Sequence, residues 1–120
     1  MSAAIAHPVV HLELQTSNLA RACAFYTELF GWSAETIHSN GRSYLMIGLG
    51  EAIEGGAVER ESERCAWLPY VEVPDIAETT ERARLLGAAV LLEAREGPAG
   101  WRGVLAPPSG AEIALWQPKL

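Results

Sequence analysis

The sequence predicts an α+β fold in which a β-α-β-β-β module occurs twice. Three observations carry the prediction. Much of the chain alternates apolar and polar residues with the period of a half-buried strand, two stretches instead place apolar residues at helical spacing, and the order of elements in the first half returns in the second. With 120 residues, 49% of them hydrophobic and 20% charged, the chain has the size and composition of one soluble domain spanning 1–120.

The first strand runs from Val9 to Gln15, with Val10, Leu12 and Leu14 on one face and His11, Glu13 and Gln15 on the other. Ser17 or Asn18 caps a helix whose stripe is Leu19, Ala22, Cys23, Tyr26, Leu29 and Phe30, and Gly31 ends it in the position a left-handed cap needs. Strands follow from Trp32 to Ile37 and from Ser43 to Leu49, joined by a turn at Asn40-Gly41. Gly55-Gly56 bends the chain into a short strand from Ala57 to Glu59. Beyond the charged stretch Glu59 to Arg64 the order restarts, with a strand from Trp67 to Val73 and a helix from Ile76 to Leu86, capped by Asp75 and stopped by Gly87. The pairs Glu78–Arg82 and Glu81–Arg84 suit the solvated face of that helix. Strands from Ala89 to Glu93, Trp101 to Ala106 and Ala111 to Trp116 complete the module, with turns at Gly97-Pro98-Ala99-Gly100 and Pro107-Pro108-Ser109-Gly110. Module one thus covers 8–59, a linker 60–65 and module two 66–118. Aligning Asn18 with Asp75 sets His11 on Leu68, Glu13 on Tyr70 and Gln15 on Glu72. One helix per module leaves the opposite sheet face uncovered, and curved strands would make it a concave site.

Charge and cysteine content narrow the function. Nine basic residues against fifteen acidic ones give a net charge of −6, which disfavours nucleic acid as a partner. No apolar run approaches the ~20 residues of a membrane span, and the start, Met1 to Pro8, lacks the basic and apolar regions of a signal peptide. Cys23 and Cys65 are too few for a disulfide scaffold and read as two buried, reduced thiols, so a cytoplasmic location is expected. Cys65 beside Arg64 has the alternative reading of a mildly activated thiol. His7 and His38 read as solvated, and Gly48-Leu49-Gly50 lacks the helix and Lys-Ser/Thr of a phosphate loop.

His11-Leu-Glu-Leu, Asn18-Leu19, Ala24-Phe25-Tyr26, Leu29-Phe30-Gly31-Trp32 and the ending from Pro108-Ser109-Gly110 through Trp116 to Pro118 resemble the vicinal oxygen chelate superfamily. This superfamily holds glyoxalase I, bleomycin and fosfomycin resistance proteins and extradiol dioxygenases, and the chain is most similar to its glyoxalase-like branch. The resemblance spans Pro8 to Pro118. It implies a cup-shaped mixed β-sheet with helices on the outer face, the glyoxalase/bleomycin resistance fold, in a homodimer. It leaves the reaction open, because the fold hosts isomerases, transferases, oxygenases and drug binders.

Metal-dependent members carry a ligand on the first strand of each module and a carboxylate on the last. Those positions fall on His11, Leu68 and Ala114, and the aliphatic side chains of the latter two offer no donor. A transition metal needs three or more protein ligands, so the expectation is no metal and no cofactor. A hydrogen-bonded cleft histidine is the simpler reading of His11; His11 and Glu13 are also the candidates for acid–base catalysis. The expected ligand face comprises His11, Glu13, Gln15, Leu68, Tyr70, Glu72, Glu112, Ala114 and Trp116, with Trp101 or Arg102 and Tyr44 or Met46 able to enter it, while Trp32 and Trp67 read as core or dimer packing. Aromatic walls with carboxylates suit a cationic or aromatic small molecule. A metal-independent small-molecule binder is the first functional expectation. The alternatives are a metal-dependent lyase, isomerase or dioxygenase using His11, and a dimeric regulatory module without a ligand.

Overall fold

In a computed structural model of the chain, which describes residues 7–39, 42–51, 53–60 and 65–120, eight strands and two α-helices follow in the expected order. They are β1 (Val9–Thr16), α1 (Leu19–Phe30), β2 (Ala34–Ser39), β3 (Arg42–Gly48), β4 (Glu54–Glu59), β5 (Ala66–Glu72), α2 (Ile76–Leu85), β6 (Ala89–Glu96), β7 (Gly100–Ala106) and β8 (Ile113–Pro118). The turn at Asn40-Gly41 and most of the charged linker, including Arg64, lie outside the described residues. The chain divides into two compact units, 10–68 and 1–9 with 69–120.

In the unit 10–68 the strand order is β2-β3-β4-β1, with β1 and β4 parallel and the other neighbours antiparallel. Alternation along β1 sends Leu14 to the helix side, where it packs with Leu45, Ile47 and Ala57 under Leu19, Ala22, Cys23 and Tyr26 of α1. Asn18 is the cap: its side-chain amide oxygen accepts the Arg21 N–H at 3.0 Å, and the Glu59 carboxylate accepts the Leu19 N–H. Gly31, at φ +67, closes the helix by donating its N–H to the Thr27 carbonyl.

In the other unit the order is β5-β8-β7-β6, with β5 and β8 parallel. Val73, Ile76, Leu105 and Leu115 form its core beneath α2. Asp75 accepts the Glu78 N–H, and the Gln117 side chain accepts the N–H of Ile76, so two residues far apart in sequence satisfy the start of α2. Arg84 on the solvated side bonds both Glu81 and Glu93.

Several boundaries differ from the sequence expectation. Strand β4 is a full six residues, because Gly55 and Gly56 pair in the ladder instead of bending away from it. Trp32 stays out of β2 and stacks on Tyr26, with ring centroids 5.4 Å apart. Strand β6 extends to Glu96 through two register shifts, after Val90 and after Leu92. Strand β8 starts at Ile113, so Ala111 and Glu112 belong to the preceding turn.

Candidate functional site

Each unit leaves one sheet face uncovered by its helix, and the expected ligand residues other than Glu112 fall on these faces. In the unit 10–68, β1 presents His11, Glu13 and Gln15 on the side opposite Leu14, as alternation requires. Its neighbour β4 contributes Gly56 there. A Cβ built on Gly56 would lie 3.1 Å from His11 Nε2, so the imidazole packs over a position that only glycine leaves free. Gln15 donates from Nε2 to Glu13 at 3.0 Å, and its amide oxygen accepts from Arg60 Nη1 at 2.8 Å. A short polar chain thereby fixes the Glu13 carboxylate two residues from the histidine.

His11 is half buried, and that loss of hydration holds its pKa below the ordinary histidine value, against the opposing pull of the Glu13 and Glu54 charges. The side chain is therefore neutral at pH 7. The unfolded chain protonates this group near pH 6.5, the folded chain only at lower pH, so the unfolded state binds more protons in between. Stability contributed by neutral His11 is present above about pH 6.5 and lost on acidification below it. Urea titrations at pH 7 and pH 5 should show a smaller acid loss for His11→Gln than for the parent chain; identical losses would contradict this origin.

In the other unit, Tyr70 and Glu72 of β5 stand beside Ala114 and Trp116 of β8 in register. Arg102 of β7, opposite Trp116, donates from Nε to the Tyr70 hydroxyl at 3.2 Å and sets its guanidinium 5.9 Å from the Tyr70 ring centre. Of the two residues considered for β7, Arg102 enters this face; Trp101 turns to the helix side, where Lys119 lies over its ring. Trp116 rests over Gly100, whose missing side chain makes room for the indole. Tyr70 and Ala114 are buried, Ala114 completely, and Leu68 is 3% exposed. Tyr70 and Ala114 form packed floor there, Leu68 is buried within the unit 10–68, and Glu72 and Trp116 remain partly accessible.

Two expectations need correction. Glu112 is not on the alternating face of β8, because the strand begins one residue later, and it stands exposed in the turn. Cys65 is exposed, not buried, and hydrogen bonding to Ser17 and Thr16 lowers its pKa; Cys23 is only half buried. Trp32 and Trp67 pack against the core of the unit 10–68 as expected, but only partly buried, and with Tyr26, Phe30, Leu12, Leu49 and Ile53 they line a groove of about 600 Å³ on the helix side of β1. The spacing of Tyr26, Phe30 and Trp32 around the end of α1 is the sequence signal for this aromatic cluster.

His11 has aliphatic Leu68 and Ala114 at the matching positions, and among the described residues no group of three or more His, Cys, Asp and Glu is placed to hold an ion. Nor is any helix among the described residues long and apolar enough to cross a membrane.

The glyoxalase-like domain matches residues 11–116, which takes in all eight strands except the ends of the first and last. The chain belongs to the glyoxalase-like family. Within that family, the protein named "Putative glyoxylase CFP32" from Mycobacterium bovis is 32% identical over 114 residues, covering 88% of this chain and 44% of that protein. A Mycobacterium tuberculosis protein of the same name matches equally, so the chain spans less than half the length of these curated relatives. Among solved structures, hypothetical protein BH1468 from Bacillus halodurans has a TM-score of 0.74 at 12% identity, covering 97% of both chains. Methylmalonyl-CoA epimerase from Mycobacterium tuberculosis has a TM-score of 0.64 at 19% identity, covering 93% of this glyoxalase-like chain and 88% of the epimerase. A Streptomyces coelicolor methylmalonyl-CoA epimerase in complex with 2-nitronate-propionyl-CoA has a TM-score of 0.67 at 16% identity, covering 93% and 97%. These likenesses establish the glyoxalase/bleomycin resistance fold for this chain.

Proposed function

We propose that this glyoxalase-like chain binds a small organic molecule on a helix-free sheet face, without a transition metal, and prefers cationic or aromatic ligands to anions. The observation that carries this reading is the half-buried His11 packed over Gly56 beside a carboxylate, Glu13, that Gln15 holds in place. A polar pair on a helix-free sheet face is what orients a small ligand. Trp116 over Gly100 offers a stacking surface in the other unit, next to Glu72. Arg102 tempers the negative charge there, which makes the Glu13 face the better one for a cation. Two free cysteines fit a reducing compartment, and we place the chain in the cytoplasm as a homodimer.

A thermal-shift screen of matched amines and neutral isosteres tests the reading, since a ligand of the native state raises Tm. For a cationic hit, Glu13→Gln should weaken binding about fivefold more than for its neutral isostere, the loss of ~1 kcal/mol of charge assistance. The shift should persist in a chelator. If Glu72→Gln has that effect in place of Glu13→Gln, the ligand sits in the other unit; tighter binding of anions, or abolition by the chelator, sinks the proposal.

A second reading has its own support. Neutral His11, close enough to feel both Glu13 and Glu54, has the properties of a general base, so proton transfer to or from a bound ligand is the reaction class this face could perform.

A further inference from the structure

Helix α1 is packed differently from α2. Helix α2 buries Ile76 and Thr80, whereas α1 buries no residue fully and leaves Phe25 57%, Leu29 58% and Phe30 55% exposed. Phe25 and Leu29, one turn apart on the same side, form an apolar patch of the kind that marks a protein contact. Phe30, on the opposite side of the helix, instead lines the aromatic groove with Tyr26, Trp32 and Trp67.

The charges on this helix indicate what covers it. Arg21 and Glu28 are both exposed and stand two turns apart on the same side, with Ala24 and Phe25 between them. A second α1 running antiparallel about a two-fold axis near Ala24 and Phe25 would set Arg21 against the partner's Glu28, and Glu28 against the partner's Arg21. The surface is self-complementary, as a two-fold interface requires: each apolar centre faces its own copy and each charge faces its opposite.

We propose that the outer face of α1 is the contact surface between two copies of this chain, centred on Phe25 and bracketed by reciprocal Arg21–Glu28 pairs. This deepens the homodimer reading above and rests on it.

Charge reversal tests the geometry by light scattering and sedimentation over a dilution series. Arg21→Glu and Glu28→Arg each place like charges opposite one another twice, and each should raise the dimer dissociation constant at least about tenfold. The double variant R21E/E28R restores opposite signs and should return within about threefold of the parent. Mixing the two single variants should regenerate a dimer containing one of each. Because both residues are exposed, circular dichroism and Tm of the dilute chains should match the parent, and Phe25→Ser supplies a second variant that dissociates the pair without altering charge. A parent chain that is monomeric at micromolar concentration overturns both this proposal and the homodimer reading. A dimeric parent that neither single variants nor Phe25→Ser weaken, or single-variant losses that the double variant fails to repair, overturns the α1 placement alone.

Discussion

Replacing Gly100 by Ala should lower stability by about 3 kcal/mol, at the upper end of what an overpacked site costs. The added Cβ would stand 2.3 Å from the Gln117 carbonyl oxygen and 2.9 Å from two ring atoms of Trp116. The first contact is with backbone, which a rotamer change cannot relieve, so the β7–β8 pairing must move. In thermal melts this corresponds to a drop in Tm of roughly 10 °C for a chain of this length. Trp116 should report the same displacement as a change in its fluorescence. Gly97→Ala is the control, because its Cβ would meet the Gly100 oxygen at 3.6 Å, an ordinary contact, and should cost no more than ~0.5 kcal/mol. Equal effects of the two substitutions would show that Gly100 is not sterically required.

The second large effect is expected at Leu14. It is 6% exposed at the centre of the cluster with Leu45, Ile47 and Ala57, and Leu14→Ala leaves a cavity that the strands cannot close. The expected loss is about 3 kcal/mol, within the range for buried leucine truncations. Leu12, two residues earlier on the same face, lines the open groove and should cost clearly less when truncated. Denaturant midpoints in urea distinguish the two, and a Leu12→Ala loss as large as that of Leu14→Ala would mean that the groove is part of the core. Because His11 and Glu13 point the other way, ligand affinity per folded molecule should survive either change.

The strands and helices that the sequence made legible are those whose side chains alternate or recur. Strand β1 shows Leu14 in and His11 out because a half-buried strand writes its burial into a period of two. The helix caps Asn18, Gly31 and Asp75 were legible for the same local reason, since each satisfies backbone groups within a few residues. Strand β4 was only partly legible: Gly55 and Gly56 carry no side chain whose alternation could be read, and their pairing is decided by neighbouring strands. The register shifts of β6 and the late start of β8, which removes Glu112 from the face, are likewise set by cross-strand pairing. The Arg102–Tyr70 hydrogen bond, the Glu13–Gln15–Arg60 chain and the pocket for His11 above Gly56 depend on contacts between distant segments, and no spacing in the sequence encodes them.

The glycine pair in β4 has a mechanical consequence for the unit that holds His11. Its counterpart β8 is anchored on both sides, through Leu115 toward the core and Trp116 over Gly100. Strand β4, between β3 and β1, is held at Gly55 and Gly56 by its backbone alone, and each glycine forfeits more chain freedom on ordering than any other residue. Opening should therefore begin at this seam and not at β8, in the way that weakly packed segments detach before the rest of a domain. The imidazole of His11 lies against the seam at Gly56, so opening there would expose it to water. A guest molecule that closes over the histidine would quiet that opening, coupling recognition to the rigidity of a strand it scarcely needs to touch.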